Sequence, residues 1–433
     1  MPSPPTTVSR SPWAWVPTLY YAEGIPYVIV MTVSVIMYKR LGISNTDIAL
    51  YTSWLYLPWV IKPLWSPLVD MFRTKRFWIV TLQLVIGGAL GAVALTITAP
   101  EFFRYSLAVF WLLAFSSATH DIAADGFYML GLEEHQQAAF VGIRSTFYRL
   151  AMISGQGLLV VLAGQLELGS GGRIAFAWSI TFVVLAALFL VLFVYHRFML
   201  PRPASDRTIR TEDPLRQFFI VFAKFFRKQG IGWILGFLLL YRLGEAQLIK
   251  LVSPFLLDAT AKGGLGLSTS EVGIAYGTVG IVALTLGGLL GGYVVSRQGL
   301  KYWLWPMVLS IHLPDLMFVF LSQTQPSDFL VVCAAVAVEQ FGYGFGFTAY
   351  TLYMILVAEG DHKTAHFALC TGFMALGMMV PGMVSGAIQE WLGYGNFFLW
   401  VVLCTIPGFI AAARVRIPPG FGAKKKPDTE ASA

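Results

Sequence analysis

The sequence predicts an all-α polytopic membrane protein with twelve transmembrane helices. Of its 433 residues, 57% are hydrophobic and only 12% are charged, whereas a soluble domain carries about 25% charged residues. So small a polar share leaves too little surface to cover a water-soluble globule. The apolar residues also form long continuous runs, each near the roughly 20 residues that a helix needs to cross a bilayer. A lipid-facing barrel would show short alternating segments instead.

Twelve apolar runs follow one another along the chain. We expect an N-terminal six-helix bundle over residues 13–196 and a C-terminal one over residues 231–413. A short tail (1–12), a polar linker (197–230) and a basic tail (414–433) complete the chain. The predicted spans are 13–38, 48–68, 77–98, 105–130, 137–163, 174–195, 231–257, 272–295, 303–322, 329–357, 366–389 and 394–413.

Lys and Arg residues concentrate in the connections at the end of the bundles that also carries both termini. Cytoplasmic loops of membrane proteins show such an excess. We therefore expect a multi-pass protein of the cell inner membrane with both termini in the cytoplasm, and a first span that acts as an uncleaved insertion signal. The net charge of +7 follows from this topology and does not indicate nucleic-acid binding. We expect the chain to act as a monomer.

The two halves are similar to each other. Ser44-Asn-Thr-Asp47 opens the second predicted span and Ser268-Thr-Ser-Glu271 opens the eighth, and both have the form of a helix capping box. The spacing from Asp47 to Arg73 equals the spacing from Glu271 to Arg297. Two parallel six-helix bundles joined by a long basic loop resemble the plan of the major facilitator superfamily. That plan implies alternating access to a site between pseudo-symmetric halves.

Charged residues inside the fourth and fifth spans are the first candidates for function, because each is costly in hydrocarbon. Asp121 and Asp125 are four residues apart and share one face of the fourth helix. Arg144 and Arg149 lie on the fifth helix and could pair with them or bind an anionic substrate, with Tyr148 stacking on a sugar ring. One interpretation is a charge network that holds the half together. The other adds a carboxylate that takes up and releases a proton during transport.

Further charges lie in the spans that line the central cavity in the superfamily plan. Glu23, Glu245 and Glu339 fall in the first, seventh and tenth spans and are candidates for proton coupling. Arg242 and Lys250 share a face of the seventh span and could bind an anionic cargo. The alternative is that these cations, together with Lys62 of the second span, only neutralise the carboxylates.

A gating role is predicted for the turn between the second and third spans and for its counterpart in the second half. The candidates are Asp70 and Arg73, with Arg297 in the equivalent turn and Lys62 near the end of the second span. Positive charge on the cytoplasmic side would also explain the basic members, and Lys62 could simply extend to the membrane surface.

Neither a cofactor nor a metal is expected, and the sequence does not favour an enzyme. The Gly-rich runs lack the Lys of a phosphate-binding loop. His120, Asp121 and Asp125 could in principle bind a metal, and Ser117 lies nearby, but neighbouring residues on a helix point in different directions and do not form a catalytic triad. A membrane-embedded enzyme acting on a lipid-linked sugar remains an alternative.

Several segments resemble the AmpG-type muropeptide permeases, a branch of the superfamily related to acetyl-coenzyme A carriers. They include Ser117-Ala-Thr-His-Asp121-Ile-Ala-Ala-Asp125, Lys62-Pro-Leu-Trp-Ser-Pro-Leu-Val-Asp70 and Leu240-Tyr-Arg-Leu-Gly-Glu245. The resemblance implies proton-coupled import of anhydro-muropeptides for peptidoglycan recycling. Another bulky anionic cargo, such as a siderophore or an acyl-coenzyme A, is the alternative. The matching motif positions are Lys62, Asp121, Asp125, Tyr148, Arg149, Arg242, Glu245 and Glu339.

Overall fold

A computed structural model describes residues 10–208, 214–360 and 362–424 of the protein. Every regular element in these ranges is helical, which confirms the predicted all-α membrane class. The first six passes, α1 to α6, are Pro12–Arg40, Asn45–Trp54 continued by Leu57–Phe72, Lys75–Thr96, Phe102–Gly131, Glu134–Met152 continued through Leu159–Gly169, and Ile174–Met199.

The second half repeats this arrangement after a linker helix, Pro214–Phe226. The passes α7 to α10 are Ile231–Leu240 continued by Leu243–Leu257, Thr269–Gln298, Leu300–Thr324 and Phe329–Ala358. The passes α11 and α12 form the run Lys363–Leu403 and end with Ile406–Arg414. The run turns at Gly393, whose φ of 72° lies in the left-handed region that glycine tolerates.

Breaks in the helices explain why fewer long apolar helices are found than the twelve passes that the sequence predicts. Among the described residues, nine helices are long and apolar enough to cross a membrane. Each of α2 and α7 consists of two shorter pieces and is not among the nine, and α11 with α12 is counted as one. The second piece of α2 begins at Leu57 with Pro58 in its first turn, a position where proline is tolerated because it has no amide to pair. The helices are therefore consistent with the predicted twelve passes.

Packing follows the two halves. In the first half α3 packs on α4 and α6, and α1 on α5; in the second half α10 packs on α8 and α9, and α7 on α11. Contacts between the halves run along α2 with α11 and along α5 with α8. The π-helical turns Ile153–Leu158 and Gly273–Gly280 meet in the second of these contacts. The predicted boundaries at residues 196 and 231 stay a prediction.

The two ends of the bundle carry different segments of the chain. The terminal face carries the outer ends of α1, α6, α7 and α12, at Pro12, Met199, Ile231 and Arg414. The distal face is the opposite end, where α1 connects to α2 and α7 connects to α8 through residues 40–45 and 257–269.

Candidate transport pathway

Three carboxyl groups of the first half lie together. The side-chain oxygens of Glu23 on α1 and of Asp121 and Asp125 on α4 are within 4.8 Å of one another. The four-residue spacing places the two aspartates on one face of α4, as the sequence predicts, and in the structure that face meets Glu23 of α1. Lys62 of α2 forms an ion pair with Asp121, and Arg144 of α5 forms one with Asp125 at 3.0 Å. We call these five residues the acidic cluster.

Aromatic side chains surround the Arg144 end of the acidic cluster. The hydroxyl of Tyr20 donates a hydrogen bond to Asp125 Oδ1 at 3.0 Å. The guanidinium of Arg144 lies 4.5 Å from the ring centroid of Tyr20 and 5.1 Å from that of Tyr128, within the range of cation–π attraction. Arg144 is thus held by both a carboxylate and two rings. The sequence predicted it as a substrate-binding residue, and the structure places it in the charge network.

Four side chains of the acidic cluster are partly exposed in the described structure. The exposed fractions of the side chains are 26% for Lys62, 21% for Asp121, 30% for Arg144 and 40% for Asp125, whereas Glu23 is buried. Three carboxyls face two cations, so the acidic cluster carries one negative charge when all groups are ionised. It is neutral when it holds one proton.

The three carboxyl groups of the acidic cluster are also a candidate metal-binding site. The three carboxyl groups are close enough to share a cation, but the Lys62 ammonium and the Arg144 guanidinium already contact two of them. His120, which the sequence placed beside Asp121, is buried and contacts Gln83 at 3.1 Å. A metal would therefore have to displace a resident cation.

The second half has a two-point ion pair at the break in α7. Arg242 donates from Nε and Nη2 to the two oxygens of Glu245, at 3.0 and 2.9 Å. Its Nη2 also donates to the Tyr343 hydroxyl at 2.7 Å, and its guanidinium stacks on the Phe347 ring. Both charged residues are buried. Such two-point pairing leaves neither buried charge without a partner.

Glu339 lies apart from these pairs. It is buried on α10, and Oε2 accepts a hydrogen bond from Gln340 Nε2 at 2.9 Å. No ion pair to Glu339 is found among the described residues.

Two predicted cargo-binding cations have no carboxylate partner in the described part of the chain. Arg149 on α5 donates to Thr285 Oγ1 of α8 at 3.4 Å and is partly exposed. Lys250 on α7 donates to Thr52 Oγ1 of α2 at 3.0 Å and is buried. Each reaches across from one half to the other, and both could accept an anion. Tyr148, also predicted, lies on α5 beside Gly24 of α1.

The predicted gating residues are not brought together in the described structure. Lys62 belongs to the acidic cluster. Arg73 lies over the ring of Phe77, and Arg297 over the ring of Tyr293, 5.4 and 5.2 Å from the centroids. Both arginines are exposed at the terminal face. The side chain of Asp70 lies outside the described part, so the gating role stays a prediction.

A set of polar contacts that the sequence did not predict joins the halves at the distal face. Lys39 at the end of α1 forms a 2.7 Å ion pair with Asp258 at the end of α7, and the hydroxyl of Tyr394 donates to the same carboxylate at 2.7 Å. Asn45 Nδ2 donates to Gln389 Oε1 at 2.6 Å and to the Tyr394 hydroxyl at 2.9 Å. We call these five residues the first lock.

A second lock lies on the other side of the same face. Glu167 at the end of α5 forms a 2.8 Å ion pair with Arg40 and accepts hydrogen bonds from the Thr269 hydroxyl at 2.8 Å and from Trp178 Nε1 at 3.0 Å. Thr269 of α8 therefore occupies a place in the second lock similar to that of Asn45 of α2 in the first.

The repeated capping boxes were the signal that could have revealed both locks. Asn45 directly follows Ser44, and Thr269 directly follows Ser268, so each lock starts from the residue after the cap of a corresponding helix. Each of these helices meets the far end of a helix in the other half, α11 or α5. The described contacts close the distal face, whereas four members of the acidic cluster remain partly exposed.

Comparisons with known proteins agree with this architecture. The model of the BT1 family matches residues 23–242. The anhydromuropeptide permease of Escherichia coli K12 is 27% identical over 405 residues, covering 90% of this chain and 77% of the permease. The putative transporter AmpG 4 of Rickettsia conorii is 26% identical, covering 89% of this chain and 92% of that protein.

Solved transporters have the same fold. A mutant form of the nucleoside transporter NupG superposes with a TM-score of 0.71 at 17% identity, over 92% of this chain and 98% of that one. A D-xylose–proton symporter superposes with a TM-score of 0.67 at 12% identity, over 95% and 98%. The predicted resemblance to the facilitator superfamily and its AmpG branch is confirmed, and the alternative of an enzyme is set aside. Matched by the family model over half its length and folded like these carriers, the chain is a membrane transporter that belongs to the BT1 family.

Proposed function

We propose that the protein imports anhydro-muropeptides, or closely related anionic sugar-peptides, into the cytoplasm by alternating access and that the proton gradient drives this import. The observation that carries the proton coupling is the composition of the acidic cluster, in which three carboxyls face two cations. We further propose that the carrier acts as a monomer and that its terminal face is cytoplasmic.

The charge of the acidic cluster explains how a proton could control the conformational change. With one proton bound, the cluster is neutral and can lose its contact with water when the halves rock. Without that proton it carries a net negative charge, and enclosing an uncompensated charge in a low-dielectric interior is costly. The carrier that holds both cargo and a proton would therefore change between its two conformations more readily than one that holds cargo without a proton.

The proposed cargo carries chemical groups that complement side chains of the pathway. A muropeptide has carboxylates on its peptide and one or two sugar rings. Arg149 and Lys250 offer positive charge that no described carboxylate neutralises, and Tyr148 offers an aromatic face nearby on the chain. The 27% identity to an anhydromuropeptide permease supports this cargo over other anions.

The orientation follows from the distribution of basic residues. Lys and Arg are frequent in the segments at the terminal face, including the turn around Arg73 and the linker after Met199. Because cytoplasmic loops carry this excess, the distal face would be periplasmic. The described structure, closed at the distal face, is then closed toward the periplasm.

Uptake into proteoliposomes tests this proposal. Labelled anhydro-muropeptide should accumulate when an inward proton gradient is imposed, and Asp125→Asn should abolish that accumulation without lowering the amount of protein. Glu101→Gln is the matched control, since Glu101 is an exposed carboxylate whose ion pair, with Arg104, is also exposed. If Asp125→Asn still accumulates cargo in response to the gradient, the acidic cluster does not couple transport to protons.

The same assay separates the alternative cargoes. Wild-type uptake of a ferric siderophore or an acyl-coenzyme A, without uptake of muropeptide, would replace the proposed cargo while leaving the coupling mechanism open to the same Asp125→Asn test.

A further inference from the structure

Lys250 is a buried cation in an unusual setting. Its ammonium contacts the Thr52 hydroxyl at 3.0 Å and lies 5.1 Å from the centre of the Tyr56 ring. No carboxylate pairs with it among the described residues. Its side chain also borders Gly382 of α11. Lys250 therefore lies where α7 of one half meets α2 of the other.

Stability of the present state does not account for this arrangement. A buried ammonium needs a counter-charge to offset its lost hydration, and a hydroxyl with an aromatic ring is a weak substitute. Arg242, on the same helix, is fully paired with Glu245. The contrast indicates that Lys250 has a partner that this conformation does not include.

The position of Lys250 indicates when that partner would bind. Along α7, Lys250 is eight residues from Arg242 and eight from Asp258 of the first lock, which is about 12 Å in each direction at about 1.5 Å per residue. It therefore lies between the central ion pair and the closed distal face. Opening the locks would separate α2 from α7 and remove the Thr52 and Tyr56 contacts.

We propose that Lys250 is the entry-side anion receptor, which is exposed only when the distal face is open and then binds a carboxylate of the incoming cargo. This proposal rests on the proposed function. When the face closes, the carboxylate passes toward the centre, and the Thr52 hydroxyl and the Tyr56 ring return to the ammonium. Arg149, which is partly exposed in the present state, is suited to hold the anion there.

Cysteine labelling tests the change in exposure without any cargo. Cys333, Cys370 and Cys404 are first replaced by Ala. Lys250→Cys is then labelled with a membrane-impermeant maleimide applied at the distal side. Adding Lys39→Met, which breaks the first lock, should raise the labelling rate at least tenfold.

A cysteine at the exposed Lys262 is the control and should be labelled at the same rate with and without Lys39→Met. A labelling rate at position 250 that does not change would overturn the proposed change in exposure.

Uptake of paired cargoes tests the anion contact. Lys250→Gln should lower kcat/KM about tenfold for a muropeptide with free carboxylates and have little effect when those carboxylates are amidated. Lys250→Arg should restore most of the loss, and Lys262→Gln, which removes a charge from the same face, should change neither cargo.

Equal losses for both cargoes would refute an anion-binding role for Lys250. Absence of wild-type muropeptide uptake would instead refute the proposed function, and the labelling result would still decide whether Lys250 becomes exposed.

Discussion

Replacing Asp258 by Asn should open the distal face, because this carboxylate is the acceptor at the centre of the first lock. It receives the Lys39 ammonium and the Tyr394 hydroxyl, each at 2.7 Å. The exposed fractions of the Lys39 and Asp258 side chains are 14% and 13%, so water screens the pair only weakly. The amide keeps the shape of the carboxylate and removes its charge.

The size of the effect can be worked out from these contacts. A hydrogen bond to a charged group contributes about 1.5–3 kcal/mol, and two such bonds weaken in Asp258→Asn. Because both partners regain hydration in the open state, we expect the substitution to shift the free-energy difference between the closed and open states by about 2 kcal/mol in favour of the open state. At about 1.4 kcal/mol per factor of ten, the ratio of open to closed molecules should rise about thirtyfold.

Distances between spin labels measure this ratio. Labels at Thr98→Cys and Gln323→Cys, both exposed near the distal face in opposite halves, should report a larger population of long distances in Asp258→Asn. Asp328→Asn is the matched control, because Asp328 is exposed on the same face and only caps its own helix. An unchanged distance distribution in Asp258→Asn would refute the role of the first lock.

Combining Asp258→Asn with Lys39→Met should open the face by less than the sum of the two single effects, since both substitutions remove the same ion pair. Three other perturbations address the rest of the pathway. Arg242→Gln leaves the charge of Glu245 buried and unpaired, which should cost about 3–5 kcal/mol; the melting temperature should fall and should recover when Glu245→Gln is added. Gly277→Leu places a side chain against the α5 backbone and should keep the distal face open in the spin-label assay, whereas Gly88→Leu, where the added atom meets nothing within 4 Å, should not. Glu23→Gln makes the acidic cluster neutral without a proton, so cargo exchange should continue while accumulation no longer responds to the proton gradient; continued response would show that Glu23 is not part of the coupling.

Much of this architecture was evident from the chain before folding was considered. The low share of charged residues and the length of the apolar runs predict membrane helices, because a bilayer of known thickness demands segments of one length. The four-residue spacing of Asp121 and Asp125 predicted that both carboxylates share a face, and they meet Glu23 in the structure. Helical periodicity is local, so sequence spacing is enough to establish it.

Pairing between distant residues was decided by tertiary packing. Asp121, Asp125 and Glu245 each had several cations as candidate partners, and only the packed helices assign Lys62 to Asp121, Arg144 to Asp125 and Arg242 to Glu245. Ion pairs depend on distances of a few ångströms across separate helices, which spacing along one helix does not constrain.

The two locks also show which features follow from local sequence and which depend on tertiary packing. Ser44 and Ser268 marked the starts of α2 and α8 from sequence alone, and both cap their helices. That Asn45 reaches Gln389 and Thr269 reaches Glu167 depends on how two bundles meet. A cap makes its hydrogen bonds within one turn of its own helix, whereas a lock forms only when the two halves pack against each other.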